Sequence, residues 1–515
     1  MPKAVNIKRS KFKNLSLIIA PLISLLVILF GNLDPGNAKV TYTFAIALLM
    51  AIWWVTEAIP LAATALLPVA LFPLFGVVDG ETISAMYFNH LIFLFIGGFL
   101  IALAMERWNL HKRIALKILI FFGISPGRIL MGFMLATAFL SMWMSNTATA
   151  MMMIPIAMSI IFKLEESLGK QNIGKYSIGL LLGIAYSASI GGIATLVGTP
   201  PNLSFVRIIG IIFPEIPEIS FAEWLAFALP VSILLFVMAW LLLYFMYKPK
   251  QKWGNLSRDE FRNEYKLLGK AKYEEKIIFT LFLTLAFLWI FRKGLTIQSF
   301  VLPGWSSLLK TPEYINDGTV AIFIALILFI IPSKNKKGSQ IMDWETANKI
   351  PWHIVLLFGG GFALAKGFVD SGLSLWFGGQ LAGLANVHPI VLTLVIVTFM
   401  SLLTELTSNT ATTEMILPIL AGLAVSIKVN PLLLMVPATL AASLAFMLPV
   451  ATPPNAIVFG TNHLRIKDMV RTGFILNLAG IVIATFVMYY WGSVVFNIDM
   501  GVFPDWAANS ATQGK

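Results

Sequence analysis

Two stretches of this chain are nearly the same, and both interrupt long apolar segments: Ser145-Asn146-Thr147-Ala148-Thr149 and Ser408-Asn409-Thr410-Ala411-Thr412. Each is followed at the same distance by a proline, Pro155 and Pro418. Each is followed later by a second shared motif, Gly198-Thr199-Pro200-Pro201-Asn202 and Ala451-Thr452-Pro453-Pro454-Asn455. In a bilayer, irregular polar backbone is tolerated only where it is buried in protein or lines a cavity. Two matching breaks of this kind, one in each half of a chain, point to a ligand site built between repeats.

A bilayer is the right setting. The chain is 58% hydrophobic and 12% charged over 515 residues, against about 25% charged in a soluble domain. Apolar runs of about 20 residues, each long enough to cross a membrane, recur from end to end. The basic start (Lys3, Lys8, Arg9, Lys11, Lys13) resembles a signal peptide, but no small-residue cleavage site follows, so the first run reads as a retained helix. There is no cysteine, hence no disulfide and no thiolate metal site. The histidines (His90, His111, His353, His388, His463) have no metal-ligand spacing. The net charge of +12 would suit an acidic partner, but the basic residues cluster in particular loops: the amino terminus, Arg107 to Lys117, Lys248 to Lys276, Lys334 to Lys337, and Arg465 with Lys467. That is how cytoplasmic loops look under the positive-inside rule.

With the amino terminus inside, the spans read 15–31, 41–58, 60–77 and 91–106. A hairpin over 126–163 then enters from the cytoplasm and returns. A span over 176–210, broken at Gly198 to Pro201, and one over 221–247 complete the first half. The second half reads 276–292, 318–332 and 352–368, an outer hairpin over 388–427, a span over 431–461 broken at Thr452 to Pro454, and 471–492 ending outside. The expectation is an all-α polytopic membrane protein of about 11 transmembrane helices plus two re-entrant hairpins. His90 to Phe99 aligns with His353 to Phe362, and both the Ser-Asn-Thr motifs and the prolines keep that separation of 263 residues. The 91–106 span runs inward and its partner outward, so the repeats are inverted, an architecture typical of secondary transporters.

A hairpin tip sets two helix ends face to face. Helix starts attract anions and helix ends attract cations. Asn146 and Asn409 both donate and accept, and paired prolines leave carbonyls free. Oxygen-rich backbone of this kind suits a hard cation such as sodium. No Lys or Arg lies between Arg128 and Lys163, Lys175 and Arg207, Lys366 and Lys428, or Lys428 and Arg465. A dianion held there has no fixed counter-charge, which would cost many kcal/mol. Bound cations and helix dipoles are the available compensation, and this would couple the two ligands. The alternative for each Ser-Asn-Thr is a plain helix N-cap in a packed hairpin; duplication and pairing with the proline breaks favour a site.

These residues resemble the divalent anion/sodium symporter family, the sodium-coupled dicarboxylate transporters. Trp53-Trp54-Val55-Thr56-Glu57-Ala58-Ile59-Pro60, Glu106-Arg107-Trp108-Asn109-Leu110, the paired tips and Ala451-Thr452-Pro453-Pro454-Asn455 carry the match, which is closest to bacterial dicarboxylate members. The resemblance implies a homodimer whose transport domain moves as an elevator against a scaffold. The divisions expected are scaffold helices over 1–106, a transport-domain half over 107–220, scaffold helices and a cytoplasmic loop over 221–350, a linking helix over 351–387, and the second transport-domain half over 388–515. It implies one sodium site at Ser141, Ser145, Asn146 and Gly198 and another at Thr404, Ser408, Asn409 and Ala451. Substrate would meet Ser145, Asn146, Thr147, Ser408, Asn409 and Thr410, with Thr199, Thr452 and Pro453 lining the site. Implied ligands are C4-dicarboxylates and sodium ions, in the cell membrane and among its lipids, with no nucleic acid. Exchange, or citrate or sulfate as cargo, fits the same motifs.

Other features read more plainly. Glu405 and Glu414 flank the second tip without counterparts at the first, where Met142 and Met151 stand, and read as structural groups. Glu57 reads as part of an interfacial turn, Lys366 as a snorkelling lysine, and Gly97, Gly98, Gly360 and Gly361 as points of close helix packing. His90 and His353 read as markers of membrane ends. A membrane enzyme is disfavoured because there is no intramembrane Asp pair, His-Glu-x-x-His or Gly-x-Ser-x-Gly. A channel would need a continuous pore.

Overall fold

The computed structural model describes residues 11–122, 125–249, 259–297, 300–335 and 338–512. Lys3, Lys8, Arg9, residues 250–258 of the long polar loop, and Lys336 and Lys337 lie outside the described residues. The fold is helical, as a chain that must satisfy its backbone inside lipid requires. Among the described residues, eight helices are long and apolar enough to cross a membrane by length and composition.

Helix α1 (Lys11–Phe30) packs on α2 (Ala38–Thr56). Glu57 ends α2 in the left-handed region (φ 47) and pairs with Lys13 at 2.9 Å, an exposed structural contact. The expected span 60–77 is two short helices, α3 (Leu61–Thr64) and α4 (Leu67–Leu74). Pro68 has no N–H to continue the ladder between them. Asp79 caps α5 (Gly80–Ala85) by accepting from the Thr82 amide. Asn89 caps α6 (His90–Arg107), and α7 (Leu110–Phe122) leads to the first hairpin.

That hairpin is α8 (Pro126–Ser141) and α9 (Asn146–Leu168). A broken helix follows as α10 (Lys170–Ile193) and α11 (Pro200–Ile212), then α12 (Phe221–Tyr247), which starts at a Ser220–Glu223 capping box. The polar α13 (Asp259–Leu267) precedes α14 (Tyr273–Ile290). A small antiparallel hairpin, β1 (Gly294–Ile297) with β2 (Phe300–Pro303), departs from all-helical structure, and Pro332 bridges to Gln340 further along the chain.

The second half continues with α15 (Asp317–Ile330), α16 (Trp344–Ala347), α17 (Trp352–Ser371) and α18 (Leu373–Gln380). Its hairpin is α19 (Pro389–Thr404) and α20 (Asn409–Ser426). Its broken helix is α21 (Pro431–Ala442) and α22 (Pro453–Gly460), followed by α23 (Ile466–Val487). Both breaks therefore open before the expected residue, the first at Ala194 instead of Gly198 and the second, by a wider margin, at Ser443 instead of Thr452.

Small residues set the closest approaches. A Cβ on Gly97 would lie 2.5 Å from the Ala321 Cβ, so α6 and α15 meet backbone to backbone. Gly360 approaches Ala65 as closely, and Gly361 lies against the Glu414 carboxyl. Gly98 makes only ordinary contact, with Val197 at 3.5 Å, so the close-packing role expected for it falls to its neighbour.

The basic stretch after α6 is tied down by acids. Arg113, on α7, is buried against Glu275 at the start of α14 and also donates to the Gly269 carbonyl at 3.0 Å. Arg107 pairs with Asp343 at 2.5 Å. Burial would raise the Asp343 carboxyl, but donation from Thr346 and Arg107 outweighs it and holds the group at about 2.

Candidate functional site

The first tip is shaped by short side-chain bonds. Ser145 caps α9 by accepting from the Ala148 amide at 3.1 Å. The Ser141 hydroxyl donates to the Asn146 amide oxygen at 2.5 Å, joining the end of α8 to the start of α9. The unwound residues 194–199 lie alongside. A Cβ on Gly192 would meet the Asn146 oxygen at 2.7 Å and the Gly198 carbonyl oxygen at 3.0 Å. Ser141, Asn146 and Gly198 thus share one small space, and only a residue without a side chain fits beside them. Ser145 and Thr147 are half-buried next to it.

Helix α11 starts at Thr199, with Pro200 and Pro201 at its first two positions. Two of its early N–H groups are therefore missing, which weakens it as an anion site. The first turns of α9 and α20 keep theirs.

The second tip repeats the arrangement. The Thr404 hydroxyl lies 2.7 Å from the Asn409 amide oxygen and 2.7 Å from the Ala442 carbonyl. Its single hydrogen serves one of them at a time. Ser408 is the N-cap of α20, but its hydroxyl makes no capping bond, unlike that of Ser145. Thr410 is buried, Ser408 and Asn409 are half-buried, and Ala451 and Thr452 are buried while Pro453 is exposed. Thr452 caps α22 by accepting from the Asn455 amide at 3.3 Å.

The two unwound segments are held by different devices. In the first, the Thr195 hydroxyl donates to the Met142 carbonyl at 2.5 Å. In the second, the buried Glu405 carboxylate accepts from the amides of Phe446 (2.7 Å), Met447 (2.9 Å) and Leu448 (3.0 Å), and from the Asn477 side chain (2.8 Å). This is why the second break opens early: the carboxylate draws off three amides and Pro449 supplies none. The first segment is also tighter. A Cβ on Gly198 would lie 2.5 Å from the Gly192 carbonyl oxygen, whereas the second segment carries Ala445 and Ala451 at the matching places.

Glu414 takes no part in holding either segment. It is fully buried, accepts from the Ser204 hydroxyl at 3.0 Å, and sits where α11, α17 and α20 meet. Lys366 pairs with Asp370 one turn away at 2.8 Å. Trp143, beside the first tip, stacks with Phe221 and Trp289 and fixes that tip against α12 and α14.

The halves interlock. Arm α9 of the first hairpin packs on α22 of the second broken helix, and arm α20 of the second hairpin packs on α11 of the first. Sequence reasoning missed Thr195, whose counterpart is Leu448, and could not give Glu405 its partners, which come from a segment some 40 residues on.

The chain matches the family described as the sodium:sulfate symporter transmembrane region over residues 11–498. It is 48% identical over 490 residues to a protein of Staphylococcus saprophyticus named sodium-dependent dicarboxylate transporter SdcS, covering 94% of this chain and 92% of the relative. It is 46% identical over 496 residues to SdcS of Staphylococcus aureus, with the same two coverages. In fold it is similar to the crystal structure of the YdaH transporter of Alcanivorax borkumensis, at TM-score 0.57 and 16% identity over 87% of this chain and 99% of that one. It is also similar to MtrF of Neisseria gonorrhoeae, at TM-score 0.56 and 12% identity over 92% and 97%. The chain belongs to the sodium:sulfate symporter family, a family of transporters and not of enzymes.

Proposed function

We propose that this protein carries out sodium-coupled secondary active transport of C4-dicarboxylates such as succinate, malate and fumarate across the cell membrane. The observation that carries the reading is the doubled tip: a hydroxyl-to-asparagine bond at Ser141–Asn146 and again at Thr404–Asn409, each beside an unwound segment. Sodium ions occupy Ser141, Ser145, Asn146 and Gly198 at one tip and Thr404, Ser408, Asn409 and Ala451 at the other. The dicarboxylate meets Ser145, Asn146, Thr147, Ser408, Asn409 and Thr410, between the N–H groups that open α9 and α20. Thr199, Thr452 and Pro453 line it. With no lysine or arginine in these segments, the bound cations neutralise the cargo, so neither binds well alone. The name of the 48% identical relative supports dicarboxylate as cargo.

In this reading the hairpins and broken helices move together as an elevator against the remaining helices. The protein works as a homodimer, with its amino terminus cytoplasmic and its carboxyl terminus outside. The test is succinate uptake into proteoliposomes. Uptake that is saturable, driven by an inward sodium gradient and lost in choline supports the proposal. Uptake that ignores sodium but needs dicarboxylate inside would replace it with exchange. Competition by citrate or sulfate in place of succinate would change the cargo.

A further inference from the structure

Both Pro-Pro-Asn motifs end in an asparagine that the site just described does not use. Asn202 and Asn455 are both fully buried. The Asn202 side-chain nitrogen donates to the carbonyls of Gly192 (3.3 Å), Ile193 (3.1 Å) and Thr195 (2.7 Å). The Asn455 nitrogen donates to those of Ala445 (3.0 Å) and Leu448 (3.0 Å). Gly192 and Ala445, Thr195 and Leu448, and Asn202 and Asn455 are each 253 residues apart. The same clamp is therefore built twice, on backgrounds that otherwise differ.

The clamp has a cost that also recurs. In both residues the amide oxygen is buried and makes no hydrogen bond. A buried acceptor left unpaired by protein groups gives up part of the stability it would otherwise have in water. Turning the amide over would not help, because its oxygen would then face carbonyl oxygens. Both halves accept the penalty to keep an N–H donor on the unwound backbone. Among the described residues no hydrogen bond ends on the Gly198 or Ala451 carbonyl, and these are the two carbonyls assigned to cations.

We propose that Asn202 and Asn455 are positioning residues that hold the two unwound segments in a cation-ready shape. Asn202 ties the last carbonyls of α10, Gly192 and Ile193, and the Thr195 carbonyl of the unwound segment to the first turn of α11. Asn455 ties the Ala445 and Leu448 carbonyls to the first turn of α22. The later carbonyl, at 198 or 451, is left free and fixed in direction. A cation then meets ligands already in place, and the ordering of the loop is not charged to binding. The inference rests on the cation sites proposed above; neither asparagine touches cation or substrate.

The experiment uses full-length protein, purified in detergent, with sodium chloride as the probe and choline chloride holding ionic strength. The readout is the sodium concentration giving half of the sodium-induced rise in unfolding temperature. Proteoliposome uptake supplies the succinate KM at saturating sodium. Asn202→Leu and Asn455→Leu keep the branched shape and remove the donor; Asn202→Ser and Asn455→Ser keep one donor. Outer-layer partners of metal ligands are typically worth about 10–100-fold in affinity, so each Leu variant should need at least about tenfold more sodium. The Ser variants should fall between Leu and wild type, and the succinate KM at saturating sodium should stay within about threefold of wild type. A folded Leu variant with wild-type sodium response overturns the proposal. If the Leu variants do not fold, wild-type response in both Ser variants overturns it. Asn146→Ala and Asn409→Ala serve as controls. If these too keep the wild-type response, the cation-site reading fails; if only the 202 and 455 variants keep it, the positioning role alone fails.

Discussion

The Thr404 hydroxyl lies 2.7 Å from the Asn409 amide oxygen, so the last residue of α19 is bonded to the first residue of α20. The bond fixes an acceptor at the tip of the hairpin. Thr404→Val keeps the shape and removes the hydroxyl. Sodium-driven uptake should fall by about 5- to 30-fold, the worth of a lost hydrogen bond of about 1–2 kcal/mol to a positioned group, and Thr404→Ser should restore most of it. Measured sodium dependence of succinate uptake checks both. Equal activity in the Val variant would remove Thr404 from the site.

Asn146 and Asn409 carry the largest expected effects. Each amide is assigned to both a cation and the dicarboxylate, so Asn146→Ala and Asn409→Ala should each abolish coupled uptake. Both variants should still elute as folded protein in size-exclusion chromatography, because the two side chains are half-buried.

Glu405 is a stability residue in this structure. Its carboxylate accepts three backbone amides and the Asn477 side chain. Glu405→Ala leaves those donors buried and unpaired, which should cost about 3 kcal/mol. The check is the unfolding midpoint in detergent, which should drop by several degrees.

Neighbouring glycines should respond differently to one methyl group. Gly97→Ala forces a Cβ to 2.5 Å from the Ala321 Cβ and should cost about 1–3 kcal/mol. Gly98→Ala meets nothing closer than Val197 at 3.5 Å and should be within about 0.5 kcal/mol of wild type. Thermal unfolding of the two variants side by side separates them.

Asp343, which accepts from Thr346 and pairs with Arg107, has a pH signature. The folded carboxyl is held at about 2, below its ordinary 3.8. A depressed acid stabilises the fold fully above its unfolded value and loses that contribution as pH falls through the folded one. The effect of Asp343→Asn on unfolding temperature should therefore be constant above about pH 5 and shrink as pH falls from about 4 toward 2.

The hairpins, the broken helices and most spans were legible because lipid leaves the backbone so few options. Apolar runs became helices, and proline with polar clusters marked where they stop. Pro200 and Pro453 open α11 and α22 where the motif placed them. The second break was misjudged at its start because its cause is not local: Ser443 to Leu448 unwind onto a carboxylate from another helix. The span 60–77 holds as a short apolar segment, Leu61–Leu74, divided into α3 and α4 next to Pro68, which withholds an N–H. The candidate site residues were legible as a repeated motif. The clamps at Asn202 and Asn455 were visible as letters of that motif, but their work lies in backbone carbonyls, which a sequence does not display.

The crosswise packing of α9 on α22 and α20 on α11 bears on how such a chain can be divided. A fragment cut in the polar loop after α12 would own one apex and one split rod, yet lack the wall that closes them. Two such fragments should regain activity only when produced together, each acting as the missing lining of the other.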